Sequence, residues 1–338
     1  MNILGIETSC DETACAIVKD GITVLSNMIA SQAVLHSRTG GVVPEVASRE
    51  HIKVIIPIIE ACFKNAQLTW DDIDLIAVTK GPGLVGSLLV GTETARTLAY
   101  AKNKKIVGVN HIAGHIYSIW LDREEEILFP SVVLTASGGH NNLVLMKDHY
   151  DFEVLGKTRD DASGEAFDKI AKLLGLIYPG GPVISKRALL GDPKKYKFPR
   201  AWLDKGSLEF SFSGLKTAVR RQVEALEKEQ GELNDEIIND ICASFQEAVT
   251  EVLAKKLIIA AEKHDAKEVH LVGGVSANKR LRELIQEMSN NLDLKVPKEI
   301  SYCTDNAAMI AAAGYFQYKK FGADNWQDIE VNPRLLIN

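Results

Sequence analysis

The sequence predicts an α/β protein of two similar lobes, each a mixed sheet flanked by helices, with the site in the cleft between them. Three observations carry that expectation. Residues 3–18, Ile-Leu-Gly-Ile-Glu-Thr-Ser-Cys-Asp-Glu-Thr-Ala-Cys-Ala-Ile-Val, form an apolar strand, a small polar turn and a second apolar strand. Residues 131–146, Ser-Val-Val-Leu-Thr-Ala-Ser-Gly-Gly-His-Asn-Asn-Leu-Val-Leu-Met, repeat that grammar about half a chain later. A duplication of this kind implies two lobes whose hairpin tips face each other. Finally, His111 and His115 follow the apolar run Ile106-Val107-Gly108-Val109. Junctions of strand end and helix start are where α/β proteins place ligands.

The chain of 338 residues is long enough for two ordinary cores, and its 46% hydrophobic and 25% charged content is that of a globular protein. No apolar stretch approaches the ~20 residues of a membrane span. The first residues lack a basic run and meet Glu7, so they do not read as a signal peptide, and a cytoplasmic location is expected. Cys10, Cys15, Cys62, Cys242 and Cys303 are scattered without a CxxC, which excludes a zinc ribbon or a disulfide framework. For Cys10 and Cys303 a small buried side chain is the expected role. A net charge of −6 argues against nucleic-acid binding by the chain as a whole. Residues 186–221, however, hold ten basic residues against three acids. That stretch is either a solvated face or a local footprint for a phosphate backbone.

In chain order, the turn of the first hairpin offers backbone N–H groups and hydroxyls, with Glu7, Asp11 and Glu12 able to act as bases or to hold a metal-bound phosphate. Residues 22–29 continue as strand. Gly40 opens a loop through Pro44 to His51 that leads into an amphipathic helix, 47–66, with Ile52, Ile55, Ile56, Ile59 and Phe63 on its apolar positions. A buried strand at 74–79 runs into the glycine-rich turn 80–91 and a helix, 87–101. That turn lacks G-K-[ST], so it is not a P-loop, and close backbone packing explains its glycines. His111 and His115 then lie one helical turn apart, a spacing at which two imidazoles grip one metal ion. Ile112 stands where a metalloprotease needs its general-base Glu. Residues 122–130 are a charged, proline-ended connector suited to a lobe boundary.

After the second hairpin, residues 158–175 read as a loop and a capped helix with Asp168 in its middle, where a lone Asp is usually just exposed. Tyr178-Pro179-Gly180-Gly181-Pro182 is a fixed turn whose glycines allow close ligand approach. A long amphipathic helix spans about 235–264. Residues 268–282 are strand, Gly273-Gly274 turn and helix, with Asn278 placed to bond a ribose or phosphate. A helix of small residues follows Asp305. A carboxylate there is most often a cap, but at a strand end in the half facing His111 a ligand role is open.

The order of hairpin, second hairpin and Gly-Gly-x-x-x-Asn turn resembles the acetate kinase, sugar kinase, heat-shock ATPase and actin superfamily (ASKHA). Within it, Asn110-His111-Ile112-Ala113-Gly114-His115, Thr135-Ala136-Ser137-Gly138-Gly139-His140, Gly164-Glu165-Ala166-Phe167-Asp168, Tyr178 to Gly181, Gly273 to Asn278 and Thr304-Asp305-Asn306 together resemble the TsaD family of tRNA threonylcarbamoyladenosine transferases, formerly labelled O-sialoglycoprotein endopeptidases. The resemblance runs from Gly5 to Gly314 and is closest to the bacterial branch. It implies actin-like lobes, assigned as 1–110 with 315–338 and as 111–314, and a nucleotide and metal site in the cleft.

The resemblance also implies roles for individual residues. His111, His115 and Asp305 would ligate the metal, iron in the family with zinc as alternative. Thr135, Ala136, Ser137, Gly138, Gly139, Asp168, Gly181 and Asn278 would bind threonylcarbamoyl-adenylate. Ser185 stands where some members carry Asp. The implied reaction carries the threonylcarbamoyl group to N6 of adenosine 37 in tRNAs reading codons that begin with A, releasing AMP. Asp11 is the candidate base. Expected partners are tRNA, a TsaB-like paralogue and a TsaE-like ATPase. A kinase of the same superfamily would not need the HxxxH pair, and a catalytically silent scaffold would not keep all three ligands.

Overall fold

The computed structural model describes residues 1–37, 41–202, 206–289 and 292–337, so Gly40, Asp204 and Lys205 lie outside the described residues. In chain order the elements are β1 (Asn2–Glu7), β2 (Glu12–Lys19), β3 (Thr23–Ser31), α1 (Ala33–Ser37), α2 (Pro44–Ala66), β4 (Leu75–Gly81), α3 (Val85–Ala101), β5 (Lys105–Asn110) and α4 (His111–Tyr117). There follow β6 (Ser131–Ala136), β7 (Asn141–Asp148), β8 (Asp151–Lys157), α5 (Ser163–Leu173), α6 (Gly180–Ala188), α7 (Ser213–Gln230) and α8 (Asp235–Lys263). The chain closes with β9 (Glu268–Val272), α9 (Lys279–Met288), β10 (Asp293–Lys295) and α10 (Ala307–Phe321). Among the described residues no helix is long and apolar enough to cross a membrane.

The duplication is real. One sheet runs β3-β2-β1-β4-β5 and the other, read from its far edge, β8-β7-β6-β9-β10. In the first, β1 pairs antiparallel with β2, Asn2 opposite Lys19, and parallel with β4. In the second, β6 pairs antiparallel with β7, Ser131 opposite Met146, and parallel with β9. The central strands of the two sheets thus share their order and their directions.

Two compact units result: residues 1–127, 147–152 and 296–338 form one, residues 128–146 and 153–295 the other. The change of unit at 127/128 falls inside the predicted connector. Residues 111–127 and 296–314, however, group with the first unit rather than the second. The physical reason is α10, which packs on β1, β2, β4 and β5 and against α4. Its run of Ala307, Ala308, Ala311, Ala312, Ala313 and Gly314 lets the helix lie close on the sheet: a Cβ at Gly314 would overlap Ala77 and one at Gly5 would overlap the Ala307 carbonyl. Ile3, Leu4 and Ile6 are fully buried, as befits a central strand covered on both faces.

On the other face of that sheet α2 buries Ala47, His51, Ile55, Ile58, Ile59, Cys62 and Phe63. The predicted apolar stripe is therefore rotated: Ile52 and Ile56 are exposed. In the second unit α8 is buried on most of its circumference, including Phe245, Val249 and Leu257, and so is a core helix rather than a simply amphipathic one. The glycines of 80–91 are packing glycines as expected, since a Cβ at Gly83 would come within 2.6 Å of the Ser9 carbonyl oxygen.

Candidate metal centre and substrate-binding residues

All three candidate metal ligands belong to the first unit. β5 delivers Asn110 as the N-cap of α4, its Oδ1 accepting from Ile112 N at 2.8 Å. That starts the helix at His111 and puts His115 one turn on, with both rings buried. Gly114 lets α4 approach α10, where a Cβ would come within 2.6 Å of Ile310 Cδ1. Asn306, not Asp305, caps α10: its Oδ1 accepts from Met309 N at 2.9 Å. The capping role is thereby taken, and Asp305 faces the histidines instead. It follows a 3-10 turn at Ile300–Tyr302, not a strand end as predicted.

Asp305 Oδ1 lies 3.1 Å from His115 Nε2 and 3.6 Å from His111 Nε2. The ligand atoms of the three residues all fall within 4.8 Å of one another. Neither ring nitrogen of His115 makes a hydrogen bond among the described residues, although the ring is 0% exposed. Burying such a group without a partner is costly. A cation between Nε2 and the facing Asp305 carboxylate would use the Nε2 lone pair that no hydrogen bond engages, so the donor set fits a metal ion.

Glu7 sets the ring of His111. It is 0% exposed at the end of β1, accepts from Thr79 Oγ1 at 2.6 Å and from Ser9 N, and lies 3.1 Å from His111 Nδ1. A proton held on Nδ1 leaves Nε2 as the lone-pair nitrogen, which is how outer carboxylates orient metal-binding histidines. Burial alone would depress His111, but the charges of Asp305 and Glu7 push it up to about 9. Burial alone would raise Glu7, and the facing imidazolium brings it below the usual carboxylate range. Sequence reasoning singled out Glu7 only as one acid of the turn. The available signal was an acid ending an otherwise apolar strand.

Asp11, the candidate base, stands on the same turn and is 8% exposed. Its neighbour Glu12 is raised to about 9, by burial first and then by the charges of Asp305 and Asp11. Cys303 is buried as expected, whereas Cys10 is partly exposed.

The candidate substrate residues all belong to the second unit. Thr135 and Ala136 end β6 and, with Ser137, are buried. Gly138 and Gly139 are exposed, and a methyl group added to either would meet nothing within 4 Å. Asp168 is not merely exposed: its Oδ1 accepts from Gly180 N at 2.7 Å and ties α5 to the start of α6. Gly181 has open space around it, unlike Gly180, which packs on Phe167 and Ala171. Asn278 caps α9 through Leu281 N at 3.0 Å. Its Nδ2 donates to Ser185 Oγ at 3.0 Å and to Gln246 Oε1 at 2.8 Å. Beside it lies a cavity of about 330 Å³ lined by Ser185, Leu189, Gln246, Ala277, Lys279 and Arg280. That volume suits a small ligand. Gln246 escaped sequence reasoning because it sits inside α8 with no motif around it.

A family model described as tRNA N6-adenosine threonylcarbamoyltransferase matches residues 23–312. Proteins of that name from Desulfotalea psychrophila and Bacillus subtilis are 52% and 51% identical, covering 97% and 99% of this chain and 95% of each relative. Among solved structures, HypF from T. kodakarensis gives a TM-score of 0.64 at 16% identity, over 94% of this chain and 48% of that one. Full-length HypF in a phosphate- and nucleotide-bound form gives 0.60 at 13%, over 96% and 47%. The paired sheets thus place the chain in the α/β fold class of these structures, with two units each built on a mixed five-stranded sheet. Within that class it belongs to the TsaD family, tRNA N6-adenosine threonylcarbamoyltransferase, and is a transferase.

Proposed function

We propose that this chain transfers the threonylcarbamoyl group from threonylcarbamoyl-adenylate to N6 of adenosine 37 in tRNAs reading ANN codons, forming t6A. The carrying observation is the assembly of His111, His115 and Asp305 in a chain 51–52% identical to named transferases over nearly its whole length. In the step, a bond forms between N6 and the carbamoyl carbon. The bond from that carbon to the adenylate phosphate oxygen breaks, its electron pair leaves with AMP, and one N6 proton passes to a base. Adenine N6 is a poor nucleophile because its lone pair is delocalised into the ring, so orientation and a base carry weight. Asp11 is our assignment for that base. The backbone of 135–139, with Asp168, Gly181 and Asn278, would hold the adenylate, and the target base must be splayed from its loop to react.

A divalent ion bound by His111, His115 and Asp305 would supply Lewis acidity to a carbonyl or phosphate oxygen. Two imidazoles and one carboxylate are the donor set of non-haem iron, which supports Fe2+, with Zn2+ as the alternative. The partners of this reading are tRNA, a TsaB-like paralogue and a TsaE-like ATPase.

Several basic residues of 186–221 are neutralised by ion pairs, Arg187 with Asp235, Arg200 with Glu251 and Lys216 with Asp161. Lys194, Lys195 and Lys197 are exposed and make no ion pair among the described residues. They are our candidate tRNA contacts, and replacing them by Ala lowers the salt slope of binding by up to ~0.9 per contact. The direct test of function is a reconstituted assay with the adenylate, unmodified tRNA and the partners. Label from the threonyl group appears on adenosine 37 with AMP released in equal amount. Phosphorylation of a small molecule instead would contradict the reading.

A further inference from the structure

The turn between β1 and β2 is held by three consecutive carbonyls. Ser9 O accepts from Leu84 N at 2.8 Å and Asp11 O from Gln32 N at 3.0 Å. Between them, Cys10 O accepts from His51 Nε2 at 2.9 Å. Three different elements supply these donors: the N-cap of α3, the residue before α1, and the body of α2. Leu84 and Gln32 use backbone N–H groups, which nearly any residue provides. The middle donor is a side chain, and only a few side chains can replace it.

The chemistry of the two partners fixes the state of the ring. A carbonyl only accepts, so Nε2 carries a proton. Nδ1 then accepts from the Thr13 hydroxyl at 2.7 Å. The imidazole therefore bridges residues 10 and 13, and Asp11 and Glu12 lie on the turn it spans. His51 is 0% exposed, and burial keeps it below its usual pKa, so it remains neutral with both nitrogens used. An apolar side chain of similar volume would fill the space but leave the Cys10 carbonyl without this donor. The stretch leading from Pro44 to His51, which the metal centre and the adenylate residues do not use, thus ends on the turn that bears the candidate base.

We propose that His51 is a positioning residue for the transfer step: by bridging Cys10 O and Thr13 Oγ1 it holds the Asp11 carboxylate in one orientation. This rests on Asp11 being the base. A small misplacement of a reacting group costs up to ~100-fold in rate, which sets the scale of the effect.

The test uses the full chain in the reconstituted transfer assay, with metal content and thermal midpoint read on every variant. His51→Leu lowers kcat about 10–100-fold with KM for the adenylate and bound metal unchanged. His51→Gln, whose amide offers a donor to Cys10 O and an acceptor to Thr13, restores most of kcat. Thr13→Val, which leaves the imidazole in place but removes its second anchor, gives a smaller loss of kcat and decides the matter if His51→Leu does not fold. In a double-mutant cycle, adding His51→Leu to Asp11→Asn costs nothing further. A folded, metal-loaded His51→Leu or Thr13→Val with full kcat overturns the proposal, as do fully multiplicative losses in the cycle. Full kcat in Asp11→Asn would instead remove the base assignment itself.

Discussion

The turn after β1 is packed from several sides, whereas the turn after β6, at the matching place in the other sheet, is exposed. A Cβ at Gly83 would crowd Ser9, and one at Gly91 would overlap Thr8 Oγ1. A Cβ at Gly138 or Gly139 would meet nothing within 4 Å. The first turn carries acids and feeds His111 through Glu7. The second carries small residues: Ser137 N donates to His140 O at 2.9 Å, and Ser137 O accepts from Gly164 N, at the start of α5, at 3.1 Å. One duplicated scaffold has thus been put to two uses. The rigid copy fixes charged side chains, where an error of an ångström matters. Under the proposed reading, the exposed Gly138 and Gly139 of the other copy present backbone to the adenylate, where bulk matters more than aim.

That contrast is broken most severely by removing a ligand from the rigid copy. His115→Ala or Asp305→Ala abolishes stoichiometric metal and transferase activity together while the far-ultraviolet spectrum stays that of the parent; a metal-loaded, active variant would refute it. Next comes Gly5→Ala, because its methyl overlaps a backbone carbonyl that cannot step aside. Denaturant melts should show a loss of about 1–3 kcal/mol, and metal affinity should fall because the start of α10, beside Asp305, is displaced. Glu7→Gln removes the charge that orients His111 and is expected to weaken metal binding about 10–100-fold in competition titrations with a chelator. The smallest effect belongs to the open copy. Gly138 has no positive φ and open space where a Cβ would sit, so Gly138→Ala leaves stability unchanged or raises it by up to about 1 kcal/mol. Its cost appears in KM for the adenylate alone.

Most of the scaffold was legible because its signals are local. Strand–turn–strand repeats and an i, i+4 histidine pair lie within a few residues of each other, and periodicity reports them directly. The face of α2 was misplaced because apolar Ile52 and Ile56 look like core in a helical pattern, while polar His51 is the residue that goes inside. Asp305 stands 190 residues from His115, and no local pattern joins them; family resemblance supplied that link, and the cap at Asn306 explains it afterwards. The unit boundaries are hidden from the sequence for the same reason. Whether 111–127 and 296–314 belong with the first sheet depends on how α10 packs, which is a long-range property of small residues and close approach.

In the proposed site His111, His115 and Asp305 bind one cation through two imidazole nitrogens and one carboxylate oxygen. Anomalous scattering at the absorption edges of iron and zinc, from crystals of the chain grown without chelator, tests it most directly. The expected result is a single peak per chain, about 2.0–2.2 Å from His111 Nε2, His115 Nε2 and an Asp305 oxygen. A metal found on other residues, or a fully active enzyme with no peak at this place, would contradict it.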